Sequence, residues 1–329
     1  MLRTVTARRE SYALATPFRI SRGVKTVAEV VTIEIAFDGH VGRGEGVPYP
    51  RYGETVAGAL AAVESMRSAL AAGMGRDELQ GMMPASAARN AIDCALWDLE
   101  AKCASTSVTA LLGRAPIAPT ATAITVSLDT PAAMAEAARR LAEVPLIKVK
   151  VDRCDPAAQI RAVREAAQWQ RIIVDPNESW TMAEVEDLQD LLAELKIDLL
   201  EQPLPADADG GLEGFRPLVP IAADESVHVA GDIARLVGRY QVANIKLDKT
   251  GGLTAALALA EATEAAGLRR MVGSMISTSL SIAPALIVAQ GCDFVDLDGP
   301  LWLSSDRTGG IHGKCGVLTC PAPGFWGGA

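Results

Sequence analysis

The sequence has no cysteines at C-x-x-C spacing, no long run of charges of one sign and only three histidines. Because its six cysteines form no C-x-x-C motif, we expect free thiols in a reducing compartment rather than a disulfide framework or a zinc site. The formal net charge of -9 is spread along the chain, which argues against nucleic acid or an anionic membrane as the main partner. A small molecule is therefore the expected ligand.

The amino-terminal stretch MLRTVTARRE lacks the apolar segment of a secretion signal. Glu or Arg interrupts each alanine-rich stretch before it reaches membrane-spanning length. We therefore expect a cytoplasmic protein with no membrane-spanning segment. The 329 residues, 49% of them hydrophobic, suffice for one large or two ordinary globular domains, and a homo-oligomer is compatible with the sequence.

Eight short apolar runs alternate with helical patterns from residue 120 onward. The runs are TAITVSL, LIKVKVD, RIIVDPN, DLLEQP, PIAADES, ANIKLDK, RRMVGSM and FVDLDGP, and helices are predicted over 131–142, 181–195, 253–266 and 279–290. This alternation is typical of βα units around a parallel sheet, and eight units predict a closed barrel. In such a barrel the functional side chains come from the carboxyl ends of the strands.

The first 119 residues follow a different pattern, which predicts an α+β domain. An alternating hairpin turns at Asp38 and Gly39, and helical stretches follow near 55–72 and 85–102. We interpret GRGEG, residues 42–46, as turn chemistry, because it lies between strands and does not open a helix. The glycine- and proline-rich tail is expected to return to this domain. The predicted division is 1–119, 120–299 and 300–329.

Two lysines interrupt the apolar strand predicted over residues 146–152. Lys148 and Lys150 share one face of that strand, because strand side chains alternate. A buried ammonium is costly, so a functional role is one interpretation. The other is an edge strand whose lysines point to water.

Three acids, Asp175, Glu201 and Asp224, end the third, fourth and fifth predicted strands. Pointing inward, they would converge, and like charges so close need a cation. Oxygen ligands without His or Cys, and open positions for substrate and water, favour Mg²⁺ over Ca²⁺ or Zn²⁺. The alternative is that these acids cap helices or lie in loops.

Lys246 ends the sixth predicted strand, four strands away from Lys148 and Lys150, so these amines should face each other across the barrel mouth. Lysine becomes a base when its pKa falls from about 10.4, and a divalent cation and a neighbouring ammonium both lower it. Removing a proton α to a carboxylate on one side and returning it on the other inverts a stereocentre.

Ten motifs in order along nearly the whole chain carry a family resemblance. They are PFRISRG, GEGVPYPRYGET, AARNAIDCALWDLEAK, IKVKVD, VDPNESW, EQPLP, DES, NIKLDKTGG, VGSM and DLDGP. With them the chain resembles the enolase superfamily, muconate lactonizing subgroup, and within it the dipeptide epimerases. The resemblance implies a modified TIM barrel, (β/α)7β, with an α+β capping domain formed by the amino-terminal part and the carboxyl-terminal tail.

The resemblance also implies roles for individual residues. Lys150 and Lys246 would be the acid/base catalysts, and Lys148 would contact the substrate carboxylate. One Mg²⁺ per subunit would be held by Asp175, Glu201 and Asp224. The substrate pocket would include Thr125 and Ser274, together with the D-x-D pair Asp296 and Asp298, which would hold the free α-ammonium of a dipeptide.

From this resemblance we expect L-Ala-L-Glu and L-Ala-D-Glu as the preferred substrates and a role in cell wall peptide metabolism. Arg22, Lys25 or Arg51 could pair with the Glu side chain, and we assign Arg22 to substrate binding. An N-acylamino acid racemase, an o-succinylbenzoate synthase or a cycloisomerase would share the lysines and the metal ligands. The substrate of such an enzyme, however, has no free ammonium for the D-x-D pair to hold. A sugar-acid dehydratase would need a His near strand seven, which the chain lacks there, and a non-catalytic binding barrel is the remaining alternative.

Overall fold

The computed structural model of the chain describes residues 2–328. Three antiparallel strands open the fold: β1 (Thr4–Ile20), β2 (Gly23–Phe37) and β3 (His40–Gly46). Phe37 pairs with His40 across a two-residue turn in which Asp38 and Gly39 both have positive φ, as a tight hairpin requires. The predicted hairpin is confirmed.

Four helices follow this sheet along the chain: α1 (Val56–Ala71), α2 (Arg76–Met82), α3 (Ala87–Cys103) and α4 (Val108–Leu111). Of these, α1 and α3 pack against the strands. Ser86 begins α3 by accepting a hydrogen bond from the Arg89 backbone nitrogen. Almost every residue of α3 is buried, since one side meets the sheet and the other meets the rest of the protein. Arg89 reaches across that second contact to the backbone oxygens of Thr250 and Gly251.

The GRGEG segment belongs to strand β3, so its interpretation as turn chemistry is wrong. Its three glycines let α3 approach the strand closely. A Cβ atom at Gly42, Gly44 or Gly46 would lie 2.1, 2.0 and 2.1 Å, respectively, from a carbonyl oxygen of α3. No side chain fits at such distances, so the glycines are selected by packing between strand and helix.

Eight parallel strands form the barrel after the short strand β4 (Thr120–Ala121). They are β5 (Ile124–Val126), β6 (Leu146–Lys150), β7 (Arg171–Asp175), β8 (Leu199–Glu201), β9 (Ile221–Ala223), β10 (Val242–Ile245), β11 (Arg269–Gly273) and β12 (Phe294–Asp296). The strands follow chain order, and the Ala123 nitrogen donates to the Val295 oxygen at 2.8 Å, which joins the two ends. The eight predicted strands and the modified TIM barrel are confirmed.

Helices surround the barrel unevenly. They are α5 (Pro131–Arg139), α6 (Pro156–Ala166), α7 (Met182–Glu194), α8 (Ile233–Leu236), α9 (Leu247–Thr250), α10 (Leu253–Ala265) and α11 (Ser279–Ala289). The four predicted helices all occur, each ending one to three residues earlier than predicted. Between β8 and β9 a 3-10 turn (Asp209–Leu212) replaces a full helix. Among the described residues, no helix is long and apolar enough to cross a membrane.

The barrel interior changes from apolar to charged along its axis. A buried apolar layer takes one residue from each of the eight strands or from the position just before it: Ala123, Leu146, Ile173, Leu199, Ala222, Val242, Met271 and Phe294. Because strand side chains alternate, Leu146 shares its inward face with Lys148 and Lys150. The lysines therefore lie above this layer, toward the carboxyl ends of the strands.

The carboxyl-terminal segment contacts both parts of the fold. Its strands β13 (Gly313–Lys314) and β14 (Val317–Leu318) extend β4 into a small antiparallel sheet. Farther on, Trp326 Nε1 donates to the Cys94 oxygen at 3.1 Å, and the Gly327 nitrogen donates to Asp98 Oδ1 at 2.7 Å. The tail thus packs against α3, while the domain boundaries given above stay a prediction.

Candidate active site

A cavity lies at the carboxyl ends of the barrel strands, beneath the loops of the first sheet. It is lined by most of the predicted site residues: Arg22, Thr125, Lys148, Lys150, Asp224, Lys246, Ser274, Asp296 and Asp298. The two remaining predicted residues, Asp175 and Glu201, are buried next to this wall and contact Lys148. The structure therefore brings all eleven predicted residues to one end of the barrel.

Lys148 is surrounded by three acids from three different strands. Its Nζ lies 2.7 Å from Glu201 Oε2, 2.8 Å from Asp296 Oδ2 and 3.0 Å from Asp175 Oδ2. Lys150, two residues along the same strand face, donates to Asp175 Oδ2 at 2.6 Å. Both amines are buried, which excludes the edge-strand interpretation of this lysine pair.

Asp224 receives two other lysines on the opposite side of the barrel. Lys246 Nζ lies 2.8 Å from Asp224 Oδ2, and Lys249 Nζ lies 2.7 Å from Asp224 Oδ1. Lys249 also donates to the Asn244 oxygen at 3.0 Å, so it is fully enclosed. Sequence reasoning missed Lys249, although its position three residues after Lys246 places both on one side of the α9 turn.

The three predicted metal ligands converge only in part. Asp175 and Glu201 share Lys148, whereas Asp224 is held by its own lysines. Across residues 2–328 no three His, Cys, Asp or Glu side chains are arranged to hold a metal ion. However, Glu201 Oε2 is buried and accepts no hydrogen bond, because its contact with Lys148 lacks hydrogen-bond geometry. Burial raises the pKa of Glu201 to about 7, against the opposing effect of Lys148.

The acids of the site raise the pKa values of two of the lysines that line the cavity. Burial favours a lower pKa for Lys246, but the carboxylate of Asp224 outweighs it and raises the pKa above its usual range. At Lys148 burial is likewise outweighed, by Asp296 and Glu201, and the pKa is raised. The predicted lowering depended on a divalent cation that neutralises these acids. With protein atoms alone, the carboxylates stabilise the charged amines.

The D-x-D pair lies at the end of β12, but its two acids have different partners. Asp298 Oδ2 accepts from the Thr125 nitrogen at 2.8 Å and from Trp302 Nε1 at 3.0 Å. Asp296 Oδ2 accepts from Lys148, and its Oδ1 is buried without a donor among the described residues. Burial, together with Asp296, raises the pKa of Asp298 to about 6. Trp302, which sequence reasoning missed, orients Asp298.

Arginines of the first sheet and its following loop close the cavity from above. Arg22 contacts Glu225 at 2.8 Å and Glu178 at 3.0 Å. Arg51 makes two hydrogen bonds to the Glu178 carboxylate, both 2.8 Å long. Glu178 and Glu225 follow the predicted metal ligands in sequence and were not singled out, because charged loop residues are usually solvated. In this conformation both arginines are neutralised by the protein.

Two family models match the chain: "Mandelate racemase / muconate lactonizing enzyme, N-terminal domain" over residues 2–113 and "Enolase C-terminal domain-like" over residues 132–319. The chain is 46% identical to L-Ala-D/L-Glu epimerase of Escherichia coli K12, over 96% of this chain and 99% of that protein. It is 40% identical to N-acetyl-D-glutamate racemase of a Pseudoalteromonas species, over 91% of this chain and 96% of that protein.

Two solved structures resemble this chain in both sequence and fold. One is the structure of an enolase family member from Agrobacterium tumefaciens with homology to dipeptide epimerases, with bound sodium and L-Ala-L-Glu and an ordered loop. Its sequence is 48% identical to this chain, and the two structures superpose with a TM-score of 0.96 over 99% of this chain and 100% of that one. Another is the structure of dipeptide epimerase from Enterococcus faecalis V583, complexed with Mg and L-Leu-L-Tyr. It is 31% identical to this chain, with a TM-score of 0.91 over 98% of this chain and 99% of that one.

Proposed function

We propose a function from the premise that the chain belongs to the mandelate racemase / muconate lactonizing enzyme family of the enolase superfamily, as its motifs predicted. The proposed activity is a Mg²⁺-dependent isomerisation: epimerisation of a dipeptide at the α-carbon of its C-terminal residue. L-Ala-L-Glu and L-Ala-D-Glu are the proposed substrates, in line with the names of the E. coli and A. tumefaciens relatives.

One observation carries this proposal: Lys150 and Lys246 reach into the same cavity from opposite walls. Their strands, β6 and β10, are four apart in an eight-strand barrel, and both side chains line the cavity. An α-carbon placed between them would have one amine on each side. One lysine can then remove the α-proton while the other donates a proton to the opposite side, which inverts the stereocentre.

Asp175, Glu201 and Asp224 would hold the Mg²⁺. Their hard oxygen donors, their burial and the Glu201 Oε2 atom, which accepts no hydrogen bond, suit a divalent cation of this kind. A bound Mg²⁺ would stabilise negative charge that develops on the substrate carboxylate. Because the acids would then bind the cation, they would no longer stabilise the charged amines of Lys148 and Lys246. The pKa values of these amines would fall toward the range in which lysine acts as a base.

The D-x-D pair would hold the other end of the substrate. Asp296 Oδ1 has no donor among residues 2–328, so a substrate ammonium would satisfy it. Asp298 is already fixed by Thr125 and Trp302, which keeps its carboxylate at the cavity wall. Ser274 lines the same wall and completes the proposed pocket.

The second candidate is racemisation of an N-acylamino acid, which the 40% identical N-acetyl-D-glutamate racemase favours. That substrate lacks a free ammonium, so the D-x-D acids would receive no cation from it. An o-succinylbenzoate synthase or a cycloisomerase meets the same objection. A cytoplasmic location and a homo-oligomer stay predictions of the sequence.

Proton NMR in D₂O, with Mg²⁺ and L-Ala-L-Glu, tests the proposal. The Glu α-proton signal is expected to disappear as the D epimer accumulates, because the lysine protons exchange with solvent. Inversion that leaves the α-proton in place would contradict deprotonation. Exchange with N-acetylglutamate but with no dipeptide would favour the second candidate.

A further inference from the structure

Each of the three proposed metal ligands has one carboxylate oxygen held by a donor other than the lysines that line the cavity. Those lysines are Lys148, Lys150 and Lys246, called the cavity lysines below. The fixed pairs are Asp175 Oδ1 with the Asn177 nitrogen at 2.8 Å, Glu201 Oε1 with Asn244 Nδ2 at 2.9 Å, and Asp224 Oδ1 with Lys249 Nζ at 2.7 Å. All three donor residues are buried, so these contacts belong to the packed interior.

The other oxygen of each acid meets the cavity lysines. Asp175 Oδ2, Glu201 Oε2 and Asp224 Oδ2 lie 2.6, 2.7 and 2.8 Å, respectively, from the nearest nitrogen of a cavity lysine. Asp175 differs in part, because the Asn177 side chain also donates to its Oδ2, at 3.2 Å. When the cavity lysines move, Glu201 and Asp224 therefore each have one oxygen left for a cation.

The two lysines on Asp224 differ in what holds them. Lys246 lines the cavity, and its ammonium donates to Asp224 Oδ2. The Lys249 ammonium has an acceptor for each of its three N–H groups: Asp224 Oδ1, the Asp224 backbone oxygen and the Asn244 backbone oxygen. Lys246 can therefore leave Asp224 for a substrate, whereas Lys249 remains as part of the fold.

Helix α3 holds the turn that carries Lys249. Asn90 Nδ2 donates to Asp248 Oδ1 at 2.8 Å, and Arg89 donates to the Thr250 backbone oxygen. The residues on both sides of Lys249 are thus held by the same helix. This arrangement keeps the Lys249 ammonium at Asp224 Oδ1.

We propose that Asn244 and Lys249 are positioning residues that limit Glu201 and Asp224 to one ligand oxygen each, and that they thereby set the preference of the site for Mg²⁺ over Ca²⁺. Mg²⁺ takes about six ligands in near-octahedral geometry, whereas Ca²⁺ takes up to about eight and accepts both oxygens of one carboxylate. An acid whose second oxygen is already occupied suits the smaller cation. This inference rests on the proposed function and deepens its Mg²⁺ dependence.

Isothermal titration calorimetry with Mg²⁺ and with Ca²⁺, at one pH and without substrate, tests the inference. Lys249→Met frees Asp224 Oδ1, and Lys246→Met is the matched control, because it removes an ammonium from the other oxygen of the same acid. An effect of charge alone should be common to both variants. Only Lys249→Met should raise the ratio of the Kd for Mg²⁺ to the Kd for Ca²⁺, by at least about 10-fold, the lower end for one contact with a charged group.

Asn244→Leu is a second variant that acts on a different acid. Asn244 Oδ1 accepts no hydrogen bond within residues 2–328, while its Nδ2 donates to Glu201. The same Kd ratio should rise in this variant, which keeps the test decisive if thermal denaturation shows that Lys249→Met does not fold. An unchanged ratio in the folded variants, or an equal rise in Lys246→Met, would overturn the proposal.

The calorimetry needs no dipeptide, so it separates this inference from the proposed activity. If the predicted ratios are found but the wild-type protein exchanges no dipeptide, the proposed epimerisation fails and this inference stands. If the wild-type protein binds neither cation, the proposed Mg²⁺ site fails and this inference fails with it.

Discussion

Asp298→Asn is the substitution that best separates a dipeptide from an N-acylated substrate. Asp298 Oδ2 accepts two hydrogen bonds, from the Thr125 nitrogen and Trp302 Nε1. The amide oxygen of Asn must take over that position, because both partners are donors. Its NH₂ group then occupies the place of the second carboxylate oxygen. A substrate ammonium would meet a donor instead of a charged acceptor.

The expected loss follows from the buried position of Asp298. Hydrogen bonds to charged groups contribute about 1.5–3 kcal/mol, which corresponds to about a 10- to 150-fold drop in kcat/KM for L-Ala-L-Glu. The drop should lie mainly in KM, since the contact is made in the ground state as well. N-acetyl-L-glutamate, which has no ammonium, provides the control and should not lose kcat/KM. An unchanged kcat/KM for the dipeptide, with normal thermal stability, would refute this reasoning.

Two further predictions concern the fold. Gly44→Ala should destabilise the protein by at least about 1–3 kcal/mol in chemical denaturation, because its Cβ would lie 2.0 Å from the Ala91 oxygen. The control Gly81→Ala, in α2, places a Cβ that meets nothing within 4 Å, so it should be neutral or stabilise the protein by up to about 1 kcal/mol. Equal changes in the free energy of unfolding for the two variants would contradict the proposed packing of α3 on β3. Burial raises the pKa of Asp93 to about 6, so the contribution of Asp93 to stability should fall as the pH rises from about 4 to 6 and then level off. The pH dependence of stability in Asp93→Asn, compared with that of the wild type, should lack this part of the slope, and an unchanged slope would contradict the assignment.

The sequence was sufficient for the barrel because its pattern is set by strand and helix periodicity. An apolar run that ends in a polar residue predicts both a buried strand and the place where it reaches solvent, as at Asp175 and Lys246. The same logic located Asp296. In each case the prediction depends only on neighbours in the chain and on the rule that parallel strands end at one edge.

Contacts between distant residues could not be predicted in this way. Arg22 meets Glu225 across 203 positions, and Thr125 meets Asp298 across 173. The error at GRGEG has a related cause, since a glycine required by an approaching helix looks the same in sequence as one required by a turn. Which amines the acids of the barrel hold likewise depends on packing and on the bound cation.

Stereospecific exchange by single-lysine variants tests the central claim most directly. Lys150→Ala and Lys246→Ala should each lose net epimerisation of L-Ala-L-Glu and L-Ala-D-Glu in D₂O with Mg²⁺. Any α-proton exchange that survives should be confined to one epimer, and to a different epimer in each variant, because each retains the lysine on one wall only. Wild-type epimerisation in either variant, or exchange of the same epimer by both, would contradict the two-lysine mechanism.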